Sequence, residues 1–251
     1  MNYIACFGIV TSMHRFFTPQ QLHEGSLMID DAALAHQVRS VLRMKQGDEI
    51  MLFTDGESLG WDFRFRIERV TDRVLSGKVT ERVKNEREPR VYVTLFQALL
   101  KKDKSEFIFE KCTEIGIHAF VPVVSERSIK KAINEERARK IIKEASEQSG
   151  RALVPNIQPI VSFADAIATV KKAGSLNIIA HEKEMRRSLD AAPPASRHIS
   201  LFVGTEGGFS EKEITMARNA GFFITSLSRR VLRAETAAVV GSYAVLHRFG
   251  N

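Results

Sequence analysis

The strongest constraint on this chain is a change of rhythm at Pro89. Before it, short apolar runs with partial two-residue alternation stand between turn residues. After it, apolar runs of strand length alternate with segments of helical period. In the first stretch, residues 49–53 (EIMLF), 61–67 (WDFRFRI) and 74–80 (VLSGKVT) read as strands, punctuated by Gly47-Asp48, Asp55-Gly56, Asp72-Arg73 and Gly77. One short helix is expected at 31–42, with Ala33, Val38, Val41 and Leu42 on a shared face. This stretch reads as a small β-barrel-like module. The charged segment KNEREP (84–89), ending in proline, is the linker candidate.

In the second stretch, 91–99 (VYVTLFQAL), 119–124 (AFVPVV), 177–180 (NIIA), 199–203 (ISLFV) and 222–227 (FFITSL) read as strands, with helices between them. Within 105–115, Ile108, Cys112 and Ile115 recur at helical spacing, and Gly116 stands as a C-terminal cap. Residues 134–149 make a charged helix whose buried stripe is Ala138, Ile141, Ile142 and Ala145. Ser210 and Glu213 form a capping box for 211–220, closed by Gly221, and a last helix at 235–248 buries Val239, Tyr243 and Leu246. Strands alternating with helices argue for an α/β fold with a mostly parallel sheet.

Composition narrows the function classes. The longest uncharged runs, 1–13 and 152–164, fall short of the roughly 20 residues of a membrane-spanning helix, so no membrane role is expected. Cys6 and Cys112 provide neither a disulfide framework nor a C-x-x-C zinc motif, and a reducing, cytoplasmic setting is expected. The opening MNYIACFGIVTS lacks a basic flank and a small-x-small cleavage site; it reads as an extension over 1–12, with Met13 as an alternative start. Residues 13–88 hold 12 basic and 13 acidic side chains, residues 89–251 hold 25 and 17. The net charge of +7 therefore comes from the later stretch, a balance that suits a phosphate-rich partner.

Two loops carry the local chemistry. GTEGGFSEKE (204–213) follows the strand ISLFV and opens a capped helix, an arrangement that lets backbone approach a nucleotide closely. It matches neither the P-loop nor the G-x-G-x-x-G fingerprint, and on shape alone a tight turn that needs glycines at positive φ is the favoured reading. SLSRRVLRAETAAVVG (226–241) sets Arg229, Arg230 and Arg233 before Glu235 and Thr236 at a strand-to-helix junction. A solvated basic turn and a phosphate or nucleotide contact both suit it. The seven histidines are scattered without H-E-x-x-H, so no metal is expected, and neither cysteine has a nucleophile's local partner.

Taken in order, HRFF (14–17), HQVRSVLRMKQGDEI (36–50), QALLKKDKSEFIFEKCTEIGIHAFVPVVSERS (97–128), EQSGR (147–151), GTEGGFS (204–210) and RVLRAETA (230–237) resemble the RsmE family. These are the uridine-N3 methyltransferases of small-subunit ribosomal RNA, in the SPOUT superfamily. The matches run over nearly the whole chain from Met13. Two departures from the family pattern stand out: the family usually has Pro where Thr205 stands and Gly-Pro where Ser228 and Arg229 stand.

The resemblance implies a PUA-like RNA-binding β-barrel at 13–86 and a SPOUT methyltransferase domain at 87–251, the latter tied in a deep trefoil knot that holds S-adenosylmethionine. It also implies a homodimer with the active site completed across the interface. Carried over residue by residue, the cofactor candidates are His181 in the first loop and Gly204, Glu206, Gly207, Gly208 and Phe209 in the second. In the third loop they are Ser226, Leu227, Ser228, Val231, Leu232, Arg233, Thr236 and Ala237.

Methylating uracil N3 is mainly a positioning task, because the sulfonium donor is already electrophilic. The imide proton must leave, and Glu235 and Glu206 are the nearest carboxylates; Glu235 is the catalytic candidate, though it equally suits ribose hydroxyls or the helix start. Arg233 is the candidate for stabilising the imide anion or an adjacent phosphate. For the RNA, Arg15, His36, Arg39, Arg43, Lys101, Lys102, Arg127 and Arg151 are the expected backbone contacts, which predicts salt-dependent binding. The assembled small (30S) subunit is the expected substrate. Two rival functions share these loops: a related methyltransferase acting on a ribose 2′-OH or another base, and a non-catalytic RNA-binding assembly factor.

Overall fold

The computed structural model describes residues 13–101, 104–129, 131–184, 186–194 and 197–250, so the expected extension at 1–12 and Lys102 lie outside the described residues. The chain divides into two compact units: residues up to Glu88 together with Gly150–Leu153, and Pro89–Ser149 together with Val154 onward.

In the first unit, β1 (Arg15–Phe17), β2 (Gly25–Asp30), β3 (Glu49–Phe53), β4 (Trp61–Val70) and β5 (Val74–Lys84) form one sheet in the order β1-β3-β4-β5-β2. β1 runs parallel to β3 and the other pairs are antiparallel. Alternation buries Ile50 and Leu52 against Phe63, Phe65, Ile67, Leu75 and Val79. Register shifts between Arg64 and Phe65 and between Ile67 and Arg69 bend the long β4–β5 hairpin around this core. The sheet is an open path, with β1 and β2 at its ends.

The helix expected at 31–42 forms in two pieces. Asp31 caps α1 (Ala32–His36), its carboxylate accepting the Ala33 and Leu34 N–H groups at 2.9 and 3.0 Å, a contact worth about 1 kcal/mol. A π turn follows over Gln37–Val41. Leu34, Ala35 and Val38 are buried on one helical face, which leaves Ala33, expected inside, exposed; the wider turn then breaks the 3.6-residue register, and Val41, also expected inside, is exposed.

The second unit runs β6 (Tyr92–Ala98), α2 (Lys104–Ile115), β7 (Ala119–Val124), α3 (Glu135–Ser149), β8 (Asn156–Ile157), β9 (Val161–Ser162), α4 (Phe163–Ala173), β10 (Leu176–Ala180), β11 (His198–Val203), α5 (Glu211–Asn219), β12 (Phe223–Thr225) and α6 (Ala234–Phe249). Its sheet has the order β12-β10-β11-β6-β7-β8, with β9 also on β7, and every pairing is parallel. Both faces are covered, as a parallel sheet requires. Val93, Leu95, Ile199 and Leu201 face the core shared with α2, α3 and α6, while Phe96, Phe202 and Ile224 face α4 and α5. Phe96 and Phe202 stack at 4.3 Å between centroids.

The burial expected for α6 needs correcting. Its inner face is Ala234, Ala238, Gly241, Ser242, Val245 and Leu246, whereas Tyr243 is 59% exposed and Val239 is half-buried. Apolar residues encircle this helix, so periodicity alone selects no face. β6 and β11 lie side by side, yet the chain leaves them in opposite directions, toward β7 and toward β12. In open α/β sheets that reversal is where ligands bind, beyond the carboxyl ends of the strands.

Candidate functional site

Three loops leave the carboxyl ends of β10, β11 and β12 and enclose one cleft of about 180 Å³ that opens to solvent. His181, Gly204, Glu206, Gly207, Gly208, Ser226, Leu227, Ser228, Val231, Leu232 and Ala237 all line it. Ala180, Glu182, Val203, Thr205, Arg230 and Ala234 complete the wall; their only sequence signal is membership of the same three loops.

Three candidates fall outside the lining. Phe209 is buried in the second core, 5.1 Å between ring centroids from Phe163, because the residue after Gly208 turns inward. Arg233 takes the N-cap position of α6 with an extended backbone and no capping hydrogen bond, and Thr236 is exposed on the first turn.

The 204–210 loop is tightly built. Gly208 has φ +70°, and a Cβ there would lie 3.0 Å from Glu182 Oε2; a Cβ on Gly204 would lie 2.9 Å from the Gly208 carbonyl carbon. Thr205, which stands where proline was expected, does proline's stiffening by hydrogen bonding: its hydroxyl donates to the Gly208 carbonyl at 3.2 Å and accepts the Gly207 N–H at 3.3 Å. Gln97 Nε2 donates to the Gly204 carbonyl at 3.2 Å, and the Arg127 guanidinium donates to the Gly207 carbonyl. Ser210 and Glu213 form the expected capping box, and the remaining Glu213 oxygen accepts the Glu126 N–H at 2.9 Å.

The 226–233 loop is stitched mainly to itself. Ser226 Oγ donates to the Ser228 carbonyl at 2.7 Å, and Ser228 Oγ accepts the Arg230 N–H at 3.1 Å. These hydroxyls take over the turn at the second departure from the family pattern.

Charge concentrates at the rim. Glu206 Oε1 accepts from the Lys101 N–H at 3.3 Å and from Lys104 Nζ at 3.2 Å. Burial pushes the Glu206 pKa up, but hydrogen bonds from its own backbone, Lys104 and Lys101 prevail and hold the carboxyl below its ordinary value. Lys104 is raised, chiefly by its hydrogen bond to Glu206. Its Nζ also lies 3.5 Å from Glu235 Oε2, a buried oxygen without a hydrogen bond among the described residues. His181 is 7% exposed, and its Nδ1 likewise lacks a hydrogen-bond partner there, with Glu182 Oε2 at 3.6 Å. The Lys104 ion pairs were not legible in sequence, since more than 100 residues separate the partners.

The expected RNA contacts separate into two kinds. Arg15 and Arg151 are corrected: both are buried in ion pairs of the first unit. Arg15 Nε donates to Asp62 at 3.2 Å, both side chains being 8% exposed, and Arg151 Nη2 meets Glu88 Oε2 at 2.7 Å. A buried, paired guanidinium is not available to a phosphate. His36 at the end of α1, Arg39 on the π turn and Arg43 after it are exposed, Arg39 paired to Asp72 and Arg43 in the left-handed region at φ 56°. In the second unit, Lys101 and Arg127 are exposed beside the 204–210 loop.

Among the described residues, no three His, Cys, Asp or Glu side chains are grouped as metal ligands would be. Cys112 is buried, and burial pushes its thiol up to about 12, so it is a packing residue.

Fold and cleft together define an α/β protein with a ligand cleft at the carboxyl ends of its parallel strands, and the family model described as the RNA methyltransferase domain matches residues 86–246. Ribosomal RNA small subunit methyltransferase E of Bacillus subtilis is 29% identical, over 94% of this chain and 97% of its own length. The Synechocystis protein of that name is 32% identical, over 88% and 73%. The Neisseria gonorrhoeae enzyme of that name, crystallised with S-adenosyl methionine, matches with TM-score 0.86 and 30% identity, over 95% of this chain and 99% of its own. The chain belongs to the RsmE family of RNA methyltransferases.

Proposed function

We propose that this chain transfers the methyl group of S-adenosylmethionine to N3 of a uridine in small-subunit ribosomal RNA, on the assembled subunit. The observation that carries the reading is the three-loop cleft at the ends of β10, β11 and β12, in a chain similar along its length to the Neisseria gonorrhoeae enzyme crystallised with that cofactor.

The cleft's own residues suit a nucleoside with an amino-acid tail. Glycine backbone at 204, 207 and 208 leaves one wall free of side-chain bulk, and Leu227, Leu232 and Ala237 offer apolar surface to a purine. The His181 Nδ1, which has no hydrogen bond among the described residues, offers a polar contact. When bound, the cofactor supplies an electrophilic methyl group, so the chain needs no nucleophile of its own. Its tasks are to align uracil N3 with that methyl, to accept the N3 proton and to steady the imide anion. Glu235 takes the proton, while hydrogen bonds from Lys104 and the Lys101 N–H hold Glu206 as a carboxylate braced in its loop. Arg233, exposed at the head of α6, faces the anion or the neighbouring phosphate. His36, Arg39, Arg43, Lys101 and Arg127 bind RNA backbone.

The architecture belongs to the same proposal. The second unit forms a deep trefoil knot; in support, β12 lies at the sheet edge, yet α6, which follows it, packs against β6 and β11 in the middle. The first unit is a PUA-like RNA-binding barrel. The protein works as a homodimer, for which exposed Val240 and Tyr243 on α6 supply an apolar face. Its compartment is the cytoplasm, where the subunit is built. Among the described residues no helix is long and apolar enough to cross a membrane.

The test is methyl transfer from labelled S-adenosylmethionine to small subunits lacking the modification, with the product nucleoside identified. N3-methyluridine at one position is the expected result. A different methylated nucleoside replaces the target, and no transfer by a cofactor-binding protein moves the reading to an assembly factor.

A further inference from the structure

We propose that Lys104 is a positioning residue of the methyl-transfer site: its ammonium clamps the β11–α5 loop to the head of α6 through Glu206 and Glu235. The role in methyl transfer rests on the function proposed above; the clamp itself rests on geometry alone.

Lys104 opens α2, just beyond β6, the strand beside β11. Its Nζ lies 3.2 Å from Glu206 Oε1 and 3.5 Å from Glu235 Oε2. Among the described residues it is the one cation ion-paired to either carboxylate. Glu206 lines the cleft from one loop, and Ala234 and Ala237, flanking Glu235 on α6, line it from the other. One ammonium therefore fixes the separation of two walls. Without it, two carboxylates converge on one point and repel, and the buried Glu235 oxygen loses its nearest counter-charge. Lys104 and Glu206 are each about one-third exposed, so the clamp governs loop spacing more than global folding.

The experiment compares Lys104→Met, Lys104→Arg, Glu206→Gln and the Lys104→Met/Glu206→Gln pair. In ligand-free protein, Lys104→Met is expected to speed amide hydrogen exchange about tenfold at 206–208 and 235–237, with the denaturant midpoint nearly unmoved. Lys104→Arg should restore both segments to within about twofold, since the charge is kept. S-adenosylhomocysteine affinity should fall about tenfold in Lys104→Met, and adding Glu206→Gln should bring no further loss and recover part of it, because it removes the carboxylate repulsion that Lys104→Met leaves. Unchanged exchange in both segments overturns the clamp, and so do losses that multiply in the double variant. If Lys104→Met does not fold, Lys104→Gln carries the same comparison. Failure of the wild-type chain to bind S-adenosylhomocysteine counts against the cofactor reading, while the exchange rates still decide the clamp.

Discussion

The two long loops that face each other across the cleft are built in opposite ways. The 204–210 loop is braced from elsewhere: Gln97 and Arg127 hold its carbonyls, Lys101 and Lys104 hold Glu206, and Glu126 meets the capping box at its end. The 226–233 loop relies on its own serines and on the Arg187 carbonyl, which accepts the Ser226 N–H at 3.3 Å. It leaves Val231 85% exposed. One wall is formed before any ligand arrives. The other carries apolar surface that gains only when something covers it.

This contrast can be broken at several points. The largest effect is expected from Gly208→Val, which puts a β-branched residue at φ +70° and its Cβ against Glu182; cofactor binding by calorimetry should be lost, by a factor above about 100. Retained affinity would remove the preformed wall from the site. Next, Arg127→Ala deletes one external brace and should weaken cofactor binding roughly tenfold, the cost of a charge-assisted hydrogen bond. An effect confined to RNA binding would instead make Arg127 a phosphate contact only. On the other loop, Val231→Ser should leave the thermal midpoint where it is and weaken cofactor binding about fivefold, since the side chain packs on nothing without ligand. A fall in stability would show that this loop is braced after all.

The smallest effect is with pH. The Glu206 pKa lies below its ordinary 4.5, so its bracing is fully present above that value and is lost as pH falls through the lowered one. Intrinsic-rate-corrected exchange at the Gly207 amide should be flat from neutral to about pH 5 and rise only in stronger acid. A rise near pH 6 would mean that another group holds the loop.

Much of the second unit was legible. Each of its five expected strands and four expected helices has its counterpart, and the Ser210–Glu213 box was read from spacing alone. α4 lies outside the expected helices, although Ser162 caps its start and Gly174 ends it in the left-handed region, both local signals carried by the sequence. β1 and β2 were missed because three- and six-residue strands are fixed by the partners they find, not by local pattern. Within the site, the glycines and apolar residues were visible as types in a loop. The charges were not: Arg15 and Asp62 are 47 residues apart and Arg151 and Glu88 are 63 apart, so nothing local distinguishes these buried cations from the exposed Arg39 and Arg43.

The π turn at Gln37–Val41 makes winding a determinant in its own right. A π turn is a helix carrying one surplus residue, and each residue of an α-helix advances the chain by about 100°. Rewinding the same residues as ordinary α-helix, with none deleted, would swing Arg43 and the residues beyond it by about that angle. Every cation would survive in the sequence, and the net charge would be unchanged, but the exposed basic edge of the first unit would point elsewhere. A census of arginines would miss the loss; the Leu42 N–H bond to the Gln37 carbonyl, five residues back, would register it.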